Sequence, residues 1–407
     1  PSIKEQETVD LVAATGRILA EDFKAAINVP PYDNSAMDGF AVKFANLEAD
    51  MGHLPVIGSG FAGDVVTDGT ANNIALWEIM TGAAIPHGFD TVIKIEDVEI
   101  VQADDAGRPM EVELKVDFSA IVIGQNVRKA GEDFKPDDVI VERGEQISSA
   151  HIAALASVGI DKIACYSKPE IAIMSTGREI IDDASLALKS GQIRNSNGPN
   201  LMALFTEMGI NAKYAGTIAD EIEDFESCLK DLLEKTDIII STGAVSMGRH
   251  DFIPQSLRNL GAEIIFHKCK VRPGKPILFA KFAPTKDKPN GVFYFGLPGN
   301  PISANVGVRF FVSVLLNLLN DLEIEQAEKA HLAREVVKPH DFKIFYKAFA
   351  KLQNGKLSVD VLTGQESFKI KPMLKANCWA VFDEKQHVNA QGNLVNIYPM
   401  IENNWIF

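Results

Sequence analysis

Cysteine is scarce in this 407-residue chain, which carries four. Cys165, Cys228, Cys269 and Cys378 stand far apart with no C-x-x-C pair. That spacing indicates neither a disulfide framework nor a zinc cage, and reduced cytosolic thiols are the expectation. His250, His267 and His340 show no H-x-x-x-H or H-E-x-x-H spacing, so a zinc enzyme is unsupported. The Ser241–Gly248 loop is neither a G-x-x-x-x-G-K-[ST] P-loop nor a G-x-G-x-x-G fingerprint, and the chain has no G-x-S-x-G elbow. Positive charge is also short: the formal net charge of −15 argues against non-specific binding to nucleic acid or an anionic membrane. No apolar run approaches membrane-spanning length and no signal peptide is visible. The chain opens at Pro1-Ser2 without Met, so residues upstream of the numbering are expected.

What is present is an ordinary globular composition, 46% hydrophobic and 23% charged, long enough for several cores. From Glu7 to Phe23 the spacing of Val9, Leu11, Val12, Ile18 and Leu19 predicts one or two short helices broken at Gly16. Leu54 to Val122 changes to short alternating runs, Thr91–Ile95 and Glu111–Val116, which read as a small β domain. A helix returns over Ala150–Val158, so the β unit reads as an insertion. From Lys168 onward, the runs Ile171–Met174 and Asp237–Ile240 end in Ser-Thr-Gly and alternate with helices over Gly198–Met208 and Asp224–Leu233. That rhythm predicts a parallel sheet covered on both faces, with ligands beyond the strands' carboxyl ends near Thr176 and Thr242. Arg334–Phe407 reads as short strands with turns at Asn354-Gly355 and Gln391-Gly392, a small all-β domain.

Four loops carry the chemistry. Pro30–Phe40 (PPYDNSAMDGF) crowds Asp33, Asn34, Ser35 and Asp38 together, which suits a turn that presents oxygens and backbone donors, although such residues also build ordinary turns. Ser241–Gly248 (STGAVSMG) follows a buried strand and suits a loop whose amides wrap a phosphate; a tight strand-to-helix connection has the same composition. Gly296–Ser303 (GLPGNPIS) places Asn300 to cap a helix and Pro301 in its first turn. Lys268, Lys270, Arg272 and Lys275 put four cations in eight residues on a turn stiffened by Pro273 and Pro276. In an acidic chain this resembles a local oxyanion receptor, with Gly274 letting amides approach the anion; a solvated turn is the alternative. Asp38, Asp133, Glu179, Asp220 and Asp251 all sit in polar turns, where carboxylates gathered from several segments could hold Mg²⁺.

The chain resembles the molybdopterin molybdenumtransferase (MoeA) family, which includes the E domains of a plant homologue and of gephyrin. The resemblance rests on Pro30–Val42 (PPYDNSAMDGFAV), Ile79–Gly88 (IMTGAAIPHG), Asn126–Phe134 (NVRKAGEDF), Ser175–Ile180 (STGREI) and Gly191–Asn197 (GQIRNSN). It continues through Ser241–Asp251 (STGAVSMGRHD), Val271–Pro276 (VRPGKP) and Gly296–Ser303, all in family order. It implies a multidomain α/β plus β fold: an elongated domain over 1–42 and 123–166, and an inserted β domain over 43–122. A MogA-like three-layer α/β domain with a mostly parallel sheet would span 167–325, and a C-terminal β barrel 326–407. The implied reaction takes adenylylated molybdopterin and molybdate, releases AMP in a Mg²⁺-dependent step and leaves molybdenum on the dithiolene. The implied assembly is a homodimer with its active site between subunits, supplied by an adenylyltransferase and serving molybdoenzymes.

By the same resemblance Asp38, Thr81, Asp133, Glu179, Asp220, Asp251 and Lys268 take catalytic roles, with Glu179, Asp220 and Asp251 as metal ligands. Arg272, Pro273, Gly274, Lys275 and Pro276 would take molybdate. Ser241, Thr242, Gly243, Ser246, Gly248, Pro298, Gly299 and Asn300 would line the substrate site, and Ser367 would reach it from the barrel. The chain departs from the family pattern at Arg178, Ala244, Arg249 and Lys347. Two other classes remain: an adenylyltransferase-like enzyme, which would lack the Pro30–Gly39 region and the barrel, and a gephyrin-type scaffold, which would capture peptides without releasing AMP.

Overall fold

The computed structural model describes residues 5–48, 51–65, 74–244 and 252–402. Two compact units are present, one over Thr8–Cys165 and one formed by Pro1–Glu7 with Tyr166–Phe407.

The Thr8–Cys165 unit is built on one six-stranded sheet. Its strands are β1 (Gly39–Val42), β2 (Leu54–Gly60), β3 (Leu76–Ile79), β4 (Thr91–Lys94), β5 (Val98–Ala103) and β6 (Pro109–Leu114), in the spatial order β4-β1-β3-β2-β6-β5. Alternating Phe40, Val42, Leu76, Ile93 and Val112 bury one face, as the period-two pattern requires. Helix α1 (Ser149–Ser157) starts in a capping box between Ser148 and His151. The helices expected over Glu7–Phe23 do not form. Gln6–Asp10 is a strand, Leu11–Ala14 a single 3₁₀ turn and Phe23–Lys24 a strand pair with Val139–Val141. Gly16 has φ +75, a reversal that no helix tolerates, so Leu11 and Leu19 reach one core from separate short segments.

The second unit has the expected rhythm. Strands β7 (Ile171–Thr176), β8 (Ala212–Ile218) and β9 (Ile238–Thr242) are joined by helices α2 (Asn197–Glu207) and α3 (Ile222–Lys235). Then follow α4 (Ile253–Asn259), β10 (Glu263–His267), β11 (Val271–Arg272), β12 (Leu278–Phe282), β13 (Val292–Leu297) and α5 (Pro301–Gly307). The sheet order is β8-β7-β9-β13-β12-β10, parallel through its first four strands. Strand residues alternate between two cores. Ile171, Ile173, Ile238 and Ile240 pack on α2 through Leu201 and Phe205; Met174, Ile239 and Tyr294 pack on α3 and α4 through Phe225, Leu229 and Leu257. Burial on both faces is why these strands read as unbroken apolar runs.

Helix α5 passes through a π-helical turn (Val308–Val312) into α6 (Ser313–Leu319). The stretch Pro301–Leu319 has 19 residues and mean hydropathy 1.7, long and apolar enough to cross a membrane. The expectation that no such run exists is corrected here. Val306, Val308 and Val312 are fully buried against the sheet and barrel, so the stretch works as a core helix. The last module is a closed five-stranded barrel of β14 (Glu328–Leu332), β15 (Lys343–Gln353), β16 (Lys356–Val361), β17 (Cys378–Phe382) and β18 (Leu394–Pro399). Its order is β15-β16-β14-β18-β17, with β17 pairing back onto β15. Asn354 (φ 51) and Gly355 (φ 74) form the two-residue turn between β15 and β16. Burial pushes the Cys378 thiol up to about 12, so iodoacetamide at pH 8 should leave it unmodified in the folded protein, and rapid labelling would contradict that placement.

Candidate functional site

The strand register shows which residues share one sheet edge. Thr242 at the end of β9 lies opposite Ser175 of β7 and Leu297 of β13, and Thr176 lies opposite Ile218 of β8. Strand β12 runs against β13 with Leu278 opposite Gly296, and β10 runs against β12 with His267 opposite Leu278. The connection from Lys268 to Ile277 therefore emerges at the same edge as the carboxyl ends of the four parallel strands. Glu179, Asp220, Gly243, the 268–277 turn and Gly299 are gathered there by topology, from segments spread over more than a hundred residues.

The centre of this edge is a close approach of backbones. Gly243 has φ +100, and a Cβ there would stand 2.3 Å from the Thr176 carbonyl oxygen. Its amide donates to the Leu297 carbonyl at 3.1 Å, and Gly299 sits directly against it. Only glycine allows the loops after β7, β9 and β13 to meet this way. The next residue, Ala244, holds φ +42, a left-handed conformation that its Cβ disfavours. Ser241 and Thr242 turn inward. The Ser241 hydroxyl pairs with Tyr294 at 2.5 Å, and Thr242 receives the Thr176 hydroxyl on its carbonyl at 3.2 Å. Both side chains are buried, which leaves the Gly243 backbone as that motif's described contribution to the edge. Ser246, Gly248, Arg249 and Asp251 lie outside the described residues.

The cationic turn is closed by its own backbone: Lys268 N–H donates to Ile277 at 2.9 Å and Cys269 N–H to Lys275 at 2.8 Å. The Arg272–Pro273 peptide is cis, and Gly274 has φ +110. Strand β11 pairs in parallel with the start of β15, Arg272 opposite Ile344, so the barrel holds the turn in place. The exposed Lys275 ammonium lies 5.9 Å from the centre of the Phe342 ring. Arg272 is also exposed, and burial pushes the Tyr346 hydroxyl up while the Arg272 charge pulls it back. Lys270 does not belong with these cations. It donates to Glu384 at 2.7 Å and faces Asp341 at 3.5 Å, so among the described residues Lys268, Arg272 and Lys275 are the cations of the turn without such a carboxylate partner.

The acidic side is more open. The Glu179 carboxylate folds back over Gly177, where a Cβ would stand 2.8 Å from Oε2, and Asp220 is exposed two residues beyond β8. Among the described residues no group of three His, Cys, Asp or Glu is placed to hold a metal ion. Glu179 and Asp220 are both exposed and follow the ends of the neighbouring strands β7 and β8.

Beside them lies a polar network that sequence reasoning missed. Asp182 accepts from Asn195 Nδ2 at 2.6 Å, Tyr214 hydroxyl at 2.9 Å and Thr217 N–H at 3.1 Å. Burial works to raise its pKa, but the donors from Asn195, Thr217 and Tyr214 win and hold the carboxyl below the usual range. Asn195 also reaches the Ser175 hydroxyl at 3.1 Å, and Asn197 Nδ2 donates to the Gly299 carbonyl at 2.8 Å. The GQIRNSN match was the available signal, since both asparagines lie in it. Because the folded pKa is depressed, the stability from Asp182 is present above the ordinary aspartate range and is lost as pH falls through the folded value. Asp182→Ala should cost about 1–2 kcal/mol, discounted for exposure. A denaturation midpoint unchanged at pH 7 would contradict this.

Asn300 occupies the N-cap position of α5 with Pro301 at N1, but the Asn300 side chain makes no cap hydrogen bond. The cap role expected for it is corrected: Pro301 has no N–H, and the Ile302 N–H instead donates to the Ser367 carbonyl at 3.0 Å. Ser367 is thereby placed at the start of α5; in the loop that precedes this helix Pro298 is buried and Gly299 is exposed. Lys347, fully buried on β15, donates to the carbonyls of Gly364 (2.9 Å), Glu366 (3.3 Å) and Lys369 (3.0 Å) around that serine.

In the Thr8–Cys165 unit the Pro30–Phe40 loop divides. Asn34 and Ser35 are buried and pair with Val127 and Arg128, so two of the four polar residues expected to face a ligand are structural. Asp33 is pinned by Lys129 Nζ and Ala130 N–H, both at 2.8 Å. Asp38 stays exposed, accepting the Thr81 N–H at 2.7 Å and hydroxyl at 2.8 Å. The Thr81 N–H and then its hydroxyl hold the Asp38 carboxyl below its ordinary value. Asp133 is exposed, its N–H donating to the Val29 carbonyl at 2.9 Å.

Comparison with known proteins gives the family. Residues 2–159 match the MoeA N-terminal region (domain I and II), and residues 172–317 match the probable molybdopterin binding domain. A molybdopterin molybdenumtransferase of Synechococcus elongatus is 33% identical over 399 residues, covering 96% of this chain and 94% of the relative. The chain belongs to the molybdopterin molybdenumtransferase (MoeA) family. The Bacillus subtilis member is 32% identical across 98% of this chain and 91% of its own length. A crystal structure of a molybdopterin biosynthesis MoeA protein from Pyrococcus horikoshii superposes with TM-score 0.76 at 28% identity, covering 99% of this chain and 96% of that one. Because MoeA matches extend through the N-terminal region as well as the α/β domain, the adenylyltransferase-like alternative is not favoured.

Proposed function

We propose that this MoeA-family chain inserts molybdenum into molybdopterin, taking adenylylated molybdopterin and molybdate and releasing AMP. The observation that carries the reading is the 268–277 turn, whose Lys268, Arg272 and Lys275 emerge at the same sheet edge as the glycine loops of Gly243 and Gly299 in a chain of net charge −15. A tetrahedral oxyanion is recognised by charged and backbone donors of this kind. In this reading Lys268, Arg272 and Lys275 bind molybdate and steer the anionic substrate. The Gly243 and Gly299 loops, with Asn300 and Ser367, orient the adenylate and pterin. Glu179, Asp220 and Asp251 would hold Mg²⁺, which supplies charge neutralisation at the phosphate when bound.

The proposed assembly is a cytoplasmic homodimer in which Asp38, Thr81 and Asp133 of one chain serve the sheet edge of its partner, downstream of an adenylyltransferase and upstream of molybdoenzymes. Two-fold symmetry would give two equal sites. Lys275→Ala should weaken molybdate binding by about 1.5–3 kcal/mol, the range of a hydrogen bond to a charged group. Titration calorimetry checks it, and wild-type affinity in a folded variant would refute the assignment of the turn.

A further inference from the structure

We infer that Lys347 is a positioning residue for the proposed reaction, acting through the loop that carries Ser367 rather than by touching substrate. Lys347 is fully buried, and its ammonium donates to Gly364, Glu366 and Lys369 carbonyls, three acceptors that converge from one short loop. The Gln365 side chain ties the same loop to the Lys347 backbone from both sides, accepting from its N–H at 3.0 Å and donating to its carbonyl at 2.8 Å. Ser367 stands inside this clamp, and its carbonyl accepts the Ile302 N–H at the start of α5. A buried charge persists only where its hydrogen bonds are satisfied, and here the loop satisfies them. The ammonium thus fixes loop and helix start together. Substrate cannot replace these acceptors without leaving three carbonyls unmet, so the ammonium is engaged in holding the loop.

This inference rests on the reading in which Ser367 meets the ligand, so the test has one arm that needs no substrate. In Lys347→Met, exchange of the Ile302 amide should quicken at least about tenfold while the Ile239 and Ile240 amides in the central strand keep their protection. Gln365→Leu, which keeps the buried charge paired, should move Ile302 the same way by less and serves if Lys347→Met does not fold. The second arm is molybdate affinity in Lys347→Met, Ser367→Ala and the double variant. A residue acting through Ser367 makes the double no weaker than Lys347→Met alone. Unchanged Ile302 exchange in both loop variants would overturn the clamp. Affinity losses that add, or faster exchange with wild-type affinity, would overturn the positioning role. A wild-type protein that binds no molybdate would defeat the function proposed above, while the exchange arm would still report on the clamp.

Discussion

Gly243→Ala is expected to lower stability by about 3 kcal/mol and to disable the sheet edge at the same time. The added Cβ would meet the Thr176 carbonyl oxygen at 2.3 Å and its hydroxyl at 2.8 Å, on a backbone held at φ +100. Neither contact is with the far end of a flexible side chain, so the loops after β7 and β9 must separate. Gly261 provides the control. It has φ +88 with nothing within 4 Å of its Cβ position, so Gly261→Ala should cost only the backbone term, about 1 kcal/mol. The difference between the two isolates the close approach. Denaturant midpoints measure both, and equal losses would show that the packing of Gly243 on Thr176 contributes nothing.

The second large effect is complementation between inactive chains. Asp38→Ala and Lys275→Ala should each reduce turnover by about 100-fold or more if both groups face developing charge. Mixed in equal amounts with free subunit exchange, half the dimers would be mixed, each with one intact site and one doubly damaged site. The mixture should therefore recover about a quarter of wild-type activity. If it stays as inactive as its parents after exchange is verified, the two residues do not act across subunits.

Much of this was legible from the chain, and the parts that were not share a cause. Ile171–Met174 and Ile238–Ile240 announced themselves because both faces of their sheet are covered, which selects continuous apolar runs. Asn354-Gly355 was readable because a two-residue hairpin needs positive φ at both positions. Glu7–Phe23 misled because its apolar residues match a helical spacing by coincidence. They come from short segments, and the reversal at Gly16 resembles a helix break.

The site divides in the same way. Its motifs were visible, but which polar groups remain available depends on distant partners. Lys270 is paired to Glu384, 114 residues away, and the Asp182 network draws on donors 13, 32 and 35 residues off. Asn34 and Ser35 looked like presented groups because no local pattern reveals their pairing with Val127 and Arg128.

The direct measurement is AMP release by the purified full chain supplied with adenylylated molybdopterin, Mg²⁺ and molybdate. The proposed function predicts AMP release that depends on molybdate and Mg²⁺, with molybdenum recovered on the pterin dithiolene. A folded protein that binds a peptide partner but releases no AMP under these conditions would contradict it.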